Sequence, residues 1–157
     1  MKKTIVIVIA ALLSVAAIAQ PRAIGGRLSL GVEVSYQHSV GPGFVEMDLG
    51  YDYASGAGIT ATYNFICATP NWTPRGTWKV YAGPGVSLGT YFRTIPFNLG
   101  ICGQVGLEYT FWFPLQLSVD LRPSIGFGTS SNSFVYNTLG LFGFVPTFGV
   151  RYSFGQK

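Results

Sequence analysis

The sequence predicts an all-β protein, a transmembrane antiparallel up-and-down β-barrel of eight strands, and three observations predict it. Apolar and polar residues alternate with period two through most of the chain, the mark of strands with two unlike faces. The chain is 48% hydrophobic, 15% aromatic and only 10% charged, against about 25% charged in a typical soluble domain. After Ala19, no apolar run reaches the roughly 20 residues that a spanning helix needs. An apolar chain without such a helix can still satisfy its backbone in lipid by closing its strands into a barrel.

The first residues read as a secretory signal peptide over 1–19. Lys2 and Lys3 supply a basic start, Ile5 to Ala17 an apolar run, and Ala17-Ile18-Ala19 a small-residue site with cleavage expected before Gln20. Removing 19 of 157 residues leaves 138, the barrel domain 20–157, a length for one core and not two. Of ten basic and six acidic residues, Lys2 and Lys3 leave with the signal. The remaining eight against six give +2, so the pI of 9.2 implies no nucleic-acid partner.

The strands follow in order. From Arg27 to Gln37, Leu28, Leu30, Val32, Val34 and Tyr36 alternate with polar or small residues over a length that a tilted strand needs to span. The second strand sets Val45, Met47, Leu49, Tyr51 and Tyr53 against Glu46, Asp48, Gly50 and Asp52, and the third sets Ile59, Ala61, Tyr63 and Phe65 against Thr60, Thr62 and Asn64. The fourth, Trp78 to Phe92, carries Gly83-Pro84-Gly85, where a bulge or bend is expected because proline cannot donate to the ladder. The fifth runs from Leu99 to Phe111, the sixth from Leu115 to Ile125, and the last from Thr147 to Phe154. Single-chain bacterial barrels have even strand numbers, so an eighth strand is expected between Ser133 and Phe144. The segments His38 to Gly43, Ala54 to Gly58, Cys67 to Thr77, Arg93 to Asn98 and Gly128 to Ser133 have turn composition.

The charges assign the faces. Arg27, Glu33, Glu46, Asp48, Asp52, Lys79, Glu108, Asp120, Arg122 and Arg151 all fall on the non-apolar face, and Arg22, Arg75, Arg93 and Lys157 fall in turns or ends. A lipid-facing Arg or Lys costs about 2–4 kcal/mol at the bilayer midplane, which accounts for a charge-free apolar face. A soluble barrel would point that face inward, but eight strands enclose little volume, and the bulky apolar set does not fit there. The polar set, rich in Gly, Ser and Thr, does. Aromatic residues near strand ends (Tyr51 and Tyr53, Tyr63 and Phe65, Tyr91 and Phe92, Tyr109 through Phe113) read as interfacial girdles.

The closing octet Thr147-Phe148-Gly149-Val150-Arg151-Tyr152-Ser153-Phe154 is similar to the terminal signal of outer-membrane barrels, followed here by Gly155-Gln156-Lys157. Together with Val34-Ser35-Tyr36-Gln37-His38, Tyr81-Ala82-Gly83-Pro84-Gly85-Val86, Gly106-Leu107-Glu108-Tyr109 and Leu115-Gln116-Leu117-Ser118-Val119-Asp120, it makes the chain resemble the small OmpA-like and OmpW-like outer-membrane β-barrels of Bacteroidetes type. The resemblance implies a bacterial outer-membrane location, contact with outer-membrane lipid, and recognition of Gly149, Tyr152 and Phe154 by the barrel-assembly machinery. It implies no reaction, since members of that group are mostly of unknown function.

The inward charges are expected to pair into a plug, because charges removed from water must be paired to be tolerated. That expectation is a non-enzymatic structural or interaction protein that presents Gly128 to Ser133 and other loops to partners. Passive transport of a small hydrophobic or ionic solute is the first alternative, and an envelope lipid-modifying enzyme the second. For the latter, His38, near Ser35 and Ser39, is the candidate base, but no carboxylate lies close in sequence to orient it. Cys67 and Cys102 have opposite parity on non-neighbouring strands, so free thiols are expected despite an oxidising compartment. No cofactor or metal is expected. The tight turn Trp112-Phe113-Pro114 conflicts with a periplasmic amino terminus unless an extra strand lies near Pro21 to Gly26.

Overall fold

The computed structural model describes residues 21–52, 56–91, 95–130, 133–137 and 145–154. Residues 1–19, read from the sequence as a signal peptide, lie outside the described residues. Ten strand segments follow one another: β1 (Pro21–Leu28), β2 (Gly31–Val40), β3 (Gly43–Asp52), β4 (Gly56–Ala68), β5 (Thr77–Tyr91), β6 (Ile95–Thr110), β7 (Gln116–Leu121), β8 (Ser124–Ser130), β9 (Ser133–Asn137) and β10 (Thr147–Ser153). All their pairings are antiparallel.

Consecutive hairpins link β1 through β6, and β10 joins β7 on one side and β1 on the other, which closes the sheet. β6 pairs through Val105–Thr110 with β7 and through Phe97–Cys102 with β8, so β7 and β8 are two halves of one wall strand, interrupted at Arg122-Pro123. Across the break the Gly103 amide donates to the Pro123 carbonyl at 2.9 Å. β9 pairs with β8 as β10 pairs with β7, so these two also share one position in the wall. The result is the expected closed eight-stranded up-and-down barrel. Closure removes the free edges that would expose backbone groups.

One expected strand is two. Arg27 to Gln37 spans a hairpin whose turn lies at Ser29-Leu30, with Leu28 opposite Val32 and Arg27 opposite Glu33. The partner numbers differ by even counts, so inward and outward parity pass through the turn unbroken and the alternation conceals it. The wall strand that this adds lies at the start of the chain, as β1. The segment where an eighth strand was expected contributes β9, Ser133–Asn137, an extension of the final wall position, and its remainder to Phe144 lies outside the described residues.

All five expected turns are also shorter: Gly56–Gly58 open β4, Cys67 and Ala68 end it, Thr77 opens β5 and Ile95–Asn98 open β6. His38 to Val40 belong to β2, leaving Gly41-Pro42 as the turn, with Gly41 at φ 57°, a conformation open to glycine. Gly128 to Ser130 belong to β8, and Ser133 opens β9. With β1 counted, the start of β1, the end of β10 and the Phe111–Leu115 turn lie at one end of the barrel, so the direction conflict disappears. We call this the termini end.

The barrel is inside out relative to a soluble one. Ile101 is 69% exposed, Phe148 62% and Val34 60%, whereas Arg27, Glu46 and Glu108 are each 0% exposed.

Candidate functional site: the filled waist and the cup above it

Inward side chains shrink along β3 and β4 from the termini end to the far end. On β3 the inward series is Phe44, Glu46, Asp48, Gly50; on β4 it is Asn64, Thr62, Thr60, Gly58. On β6, Glu108 and Gln104 give way to Cys102, Gly100 and Asn98. Three layers result.

The layer at the termini end is aromatic and ionic. Phe44 and Tyr81, both fully buried, meet edge to face at 5.2 Å. The Arg22 guanidinium lies over the Phe44 ring at 3.9 Å and pairs with buried Glu108, which also accepts from Thr110 Oγ1 at 3.3 Å. Tyr81 fits because Gly106 faces it: a Cβ there would fall 2.5 Å from the tyrosine ring.

The waist is an ion-pair cluster. Arg27 lies 2.6 Å from Asp48, 3.2 Å from Glu46 and 3.2 Å from Glu33, and also pairs with Asp120. Arg122 donates to Asp48 at 2.5 Å and pairs with Glu33. Arg151 donates to Glu46 and to Ser118 Oγ at 2.6 Å each, and to Ser35 Oγ at 2.9 Å. Gln37 donates to Glu46 at 2.9 Å and accepts from Gln116 at 3.0 Å, while the Tyr81 hydroxyl donates to Asp120 at 3.3 Å. Thr62 and Asn64 both donate to Gln104 Oε1, at 2.6 and 3.0 Å. Such a network ties together strands distant in sequence and fills the narrow interior of an eight-stranded barrel.

Above the waist, at the far end, lies a cup of about 220 Å³. Gly50, Gly58, Gly89, Ser87, Thr60 and Asn98 are among its walls, Cys102 lines it, and Glu33 and Arg122 lie at its floor. Glycine keeps it open, since a Cβ on Gly50 would fall 2.8 Å from Glu33 Cγ and one on Gly100 would fall 2.8 Å from Ser87 Oγ.

Of the ten inward charges expected from parity, seven (Arg27, Glu33, Glu46, Asp48, Asp120, Arg122 and Arg151) form the waist cluster. Glu108 lies apart, in the termini-end layer. Lys79 stands opposite Glu108 in the β5–β6 register but forms no ion pair among the described residues. The side chain of Asp52 lies outside those described.

The sequence expectation that Arg22 lies in a turn or end is corrected by the structure. Arg22 is a lumen residue, put there by an irregularity in β1: Pro21 pairs with His38 and Ala23 with Gln37, so Arg22 is the extra residue. A bulge turns two successive side chains to one face, which no alternation reveals. Phe44, Ala23 and Asn98 are further lumen residues that the sequence reading misses, Phe44 although its parity with Glu46 and Asp48 points inward and Asn98 because its segment has turn composition.

Elsewhere, His38 Nδ1 is hydrogen-bonded to the Tyr36 hydroxyl at 3.0 Å, while Ser35 is engaged on the inner face by Arg151 and Glu46. Cys67 is a free, exposed thiol and Cys102 a free, buried one. At the termini end, rings from Trp72, Trp78, Tyr109, Phe111, Trp112 and Phe113 form a continuous chain of contacts with centroids 4.6 to 5.8 Å apart. Gly149 faces the lumen, where a Cβ would fall 2.4 Å from Ser118 Oγ, and Tyr152 and Phe154 pack edge to face at 5.1 Å on the outside. Comparison of the chain with protein-family models, with curated proteins and with solved structures returned no match.

Proposed function

We propose that the protein is an integral barrel of the bacterial outer membrane, closed to solute flow, that serves as a structural or interaction component of the envelope. The observation that carries this reading is the pairing of an exposed apolar wall, free of charge among the described residues, with a lumen blocked by buried Arg27, Arg151, Phe44 and Tyr81. Apolar area of this extent is stable only when covered, and a lipid bilayer covers all sides of a cylinder at once. The ten-residue lengths of β2 and β3 suit tilted membrane-spanning strands of about 9–11 residues.

The chain of rings at the termini end suits a headgroup interface. Gly149, Tyr152 and Phe154 are the residues we assign to recognition by the barrel-assembly machinery. With both termini on the periplasmic side, the cup faces outward from the cell. Transport through the lumen would require the Arg27 cluster to part.

The experiment is reconstitution of the folded protein in planar bilayers, with density-gradient separation of inner and outer membranes from expressing cells. The expected result is outer-membrane recovery and no persistent current. A steady ohmic conductance would overturn the closed lumen, and recovery in the soluble or inner-membrane fraction would overturn the location.

A further inference from the structure

We propose that the cup is a binding site for a small organic ammonium compound, with the cationic group over Glu33 and a donor group on Asn98. The inference goes beyond the proposed envelope role and holds for the barrel in detergent as in a membrane.

Three observations converge on it. The first is charge. The waist cluster joins four carboxylates, Glu33, Glu46, Asp48 and Asp120, to three guanidiniums, Arg27, Arg122 and Arg151. Four against three leaves the cluster a formal surplus of one negative charge, balanced over the described lumen by Lys79 in the termini-end layer, which does not line the cup. Glu33 is the most accessible of the four, with a side chain 22% exposed against 1% or less for the others. It is also the one carboxylate of the cluster among the cup-lining residues.

The second is unmet hydrogen bonding. Asn98 is 2% exposed, yet its Oδ1 has no hydrogen-bond partner, and neither does Ser87 Oγ. Glu33 Oε2, 3.2 Å from Arg27, is held by charge without a hydrogen bond of its own. Buried acceptors left unpaired are costly, so a ligand that donates to them is favoured by relieving that cost. Arg122 does not reverse the preference for a cation, because its guanidinium is already spent on Asp48 and Glu33.

The third is room. The cup holds about 220 Å³, several times the roughly 30 Å³ share of one water. Its walls are glycine, serine and threonine where the layers below are filled by Phe44, Tyr81 and arginine. Leu30, Leu88 and Val145 also line it and give the carbon chain of an organic ammonium ligand apolar contact.

The test uses the full-length mature barrel carrying Cys67→Ser, refolded in detergent micelles, which leaves Cys102 as the one thiol, inside the cup. Its modification is timed with 2-aminoethyl methanethiosulfonate and with the anionic 2-sulfonatoethyl reagent, each normalised to its rate with a small free thiol. The expected result is at least tenfold faster normalised reaction with the cation. Protection of Cys102 by 1,4-diaminobutane is expected, with none from 1,4-butanediol or succinate.

Glu33→Gln is expected to bring the charge preference toward unity, and Asn98→Leu to abolish protection. If either variant fails to fold, the reagent ratio and the diamine protection in the Cys67→Ser protein still decide. No charge preference, preference for the anion, equal protection by diol and diamine, or failure of Cys102 to react would each overturn the proposal.

Discussion

Replacing Arg27 by methionine is the sharpest perturbation of the waist. Arg27 is 0% exposed and lies within salt-bridge distance of Glu33, Glu46, Asp48 and Asp120. Methionine is of similar length and carries no charge, so the substitution leaves three buried carboxylates and the partly exposed Glu33 facing Arg122 and Arg151 alone. The formal imbalance grows from one negative charge to two. Removing one partner of a buried ion pair costs about 3–5 kcal/mol, because the charge left behind is no longer compensated.

Asp120 has Arg27 as its ion-pair partner. Adding Asp120→Asn to Arg27→Met should therefore restore part of the loss, with a coupling energy of about 1–3 kcal/mol between the two sites. The assay is equilibrium unfolding in guanidinium chloride of barrels held in detergent micelles, with midpoint and slope fitted separately. A loss below about 1 kcal/mol for Arg27→Met, the scale of an exposed ion pair, would refute the reasoning. So would strict additivity of the two substitutions.

Three further outcomes follow from the same geometry. Ile101→Arg, on the most exposed apolar side chain of the wall, should lower folding stability in lipid vesicles by about 2–4 kcal/mol; an unchanged midpoint would contradict a lipid-facing wall. Gly83→Ala should destabilise by about 1–3 kcal/mol, because its Cβ would fall 1.7 Å from the Tyr63 carbonyl oxygen. Gly103→Ala, which meets nothing within 4 Å, should stay within about 0.5 kcal/mol of the parent, so equal effects in chemical unfolding would count against the register. Arg22→Ala should destabilise more than Arg75→Ala in the same assay, since it strands Glu108 in the lumen, whereas exposed Arg75 only approaches the Trp112 ring at 5.9 Å.

The barrel was legible in the sequence because period two is a direct imprint of a two-faced sheet, and the inward charges were legible because a single face carried them. Arg27, Glu46, Asp48 and Arg151 come from three distant strands, yet parity alone placed them all inside. What parity cannot report is a feature that preserves or resets it. The Ser29-Leu30 turn preserves it, so β1 and β2 read as one strand. The bulge at Arg22 resets it, so a lumen arginine read as a terminal one.

The layering was present but carried by volume, not polarity. The descent from Phe44 through Glu46 and Asp48 to Gly50 marks where the lumen is full and where it opens. Which carboxylate meets which guanidinium depends on the stagger between strands, and single-chain alternation holds no information about stagger.

The central claim, an apolar wall in lipid around a filled waist, is tested most directly by a nitroxide scan of β6 in lipid vesicles. Single spin labels at Leu99, Gly100, Ile101, Cys102, Val105 and Gly106 would be read for collision with oxygen, which partitions into lipid, and with a water-soluble nickel chelate. The account predicts high oxygen accessibility at Leu99, Ile101 and Val105, and low accessibility to both reagents at Gly106 beside Tyr81, with period two between. Loss of that period, or oxygen maxima on the glycine face, would contradict it.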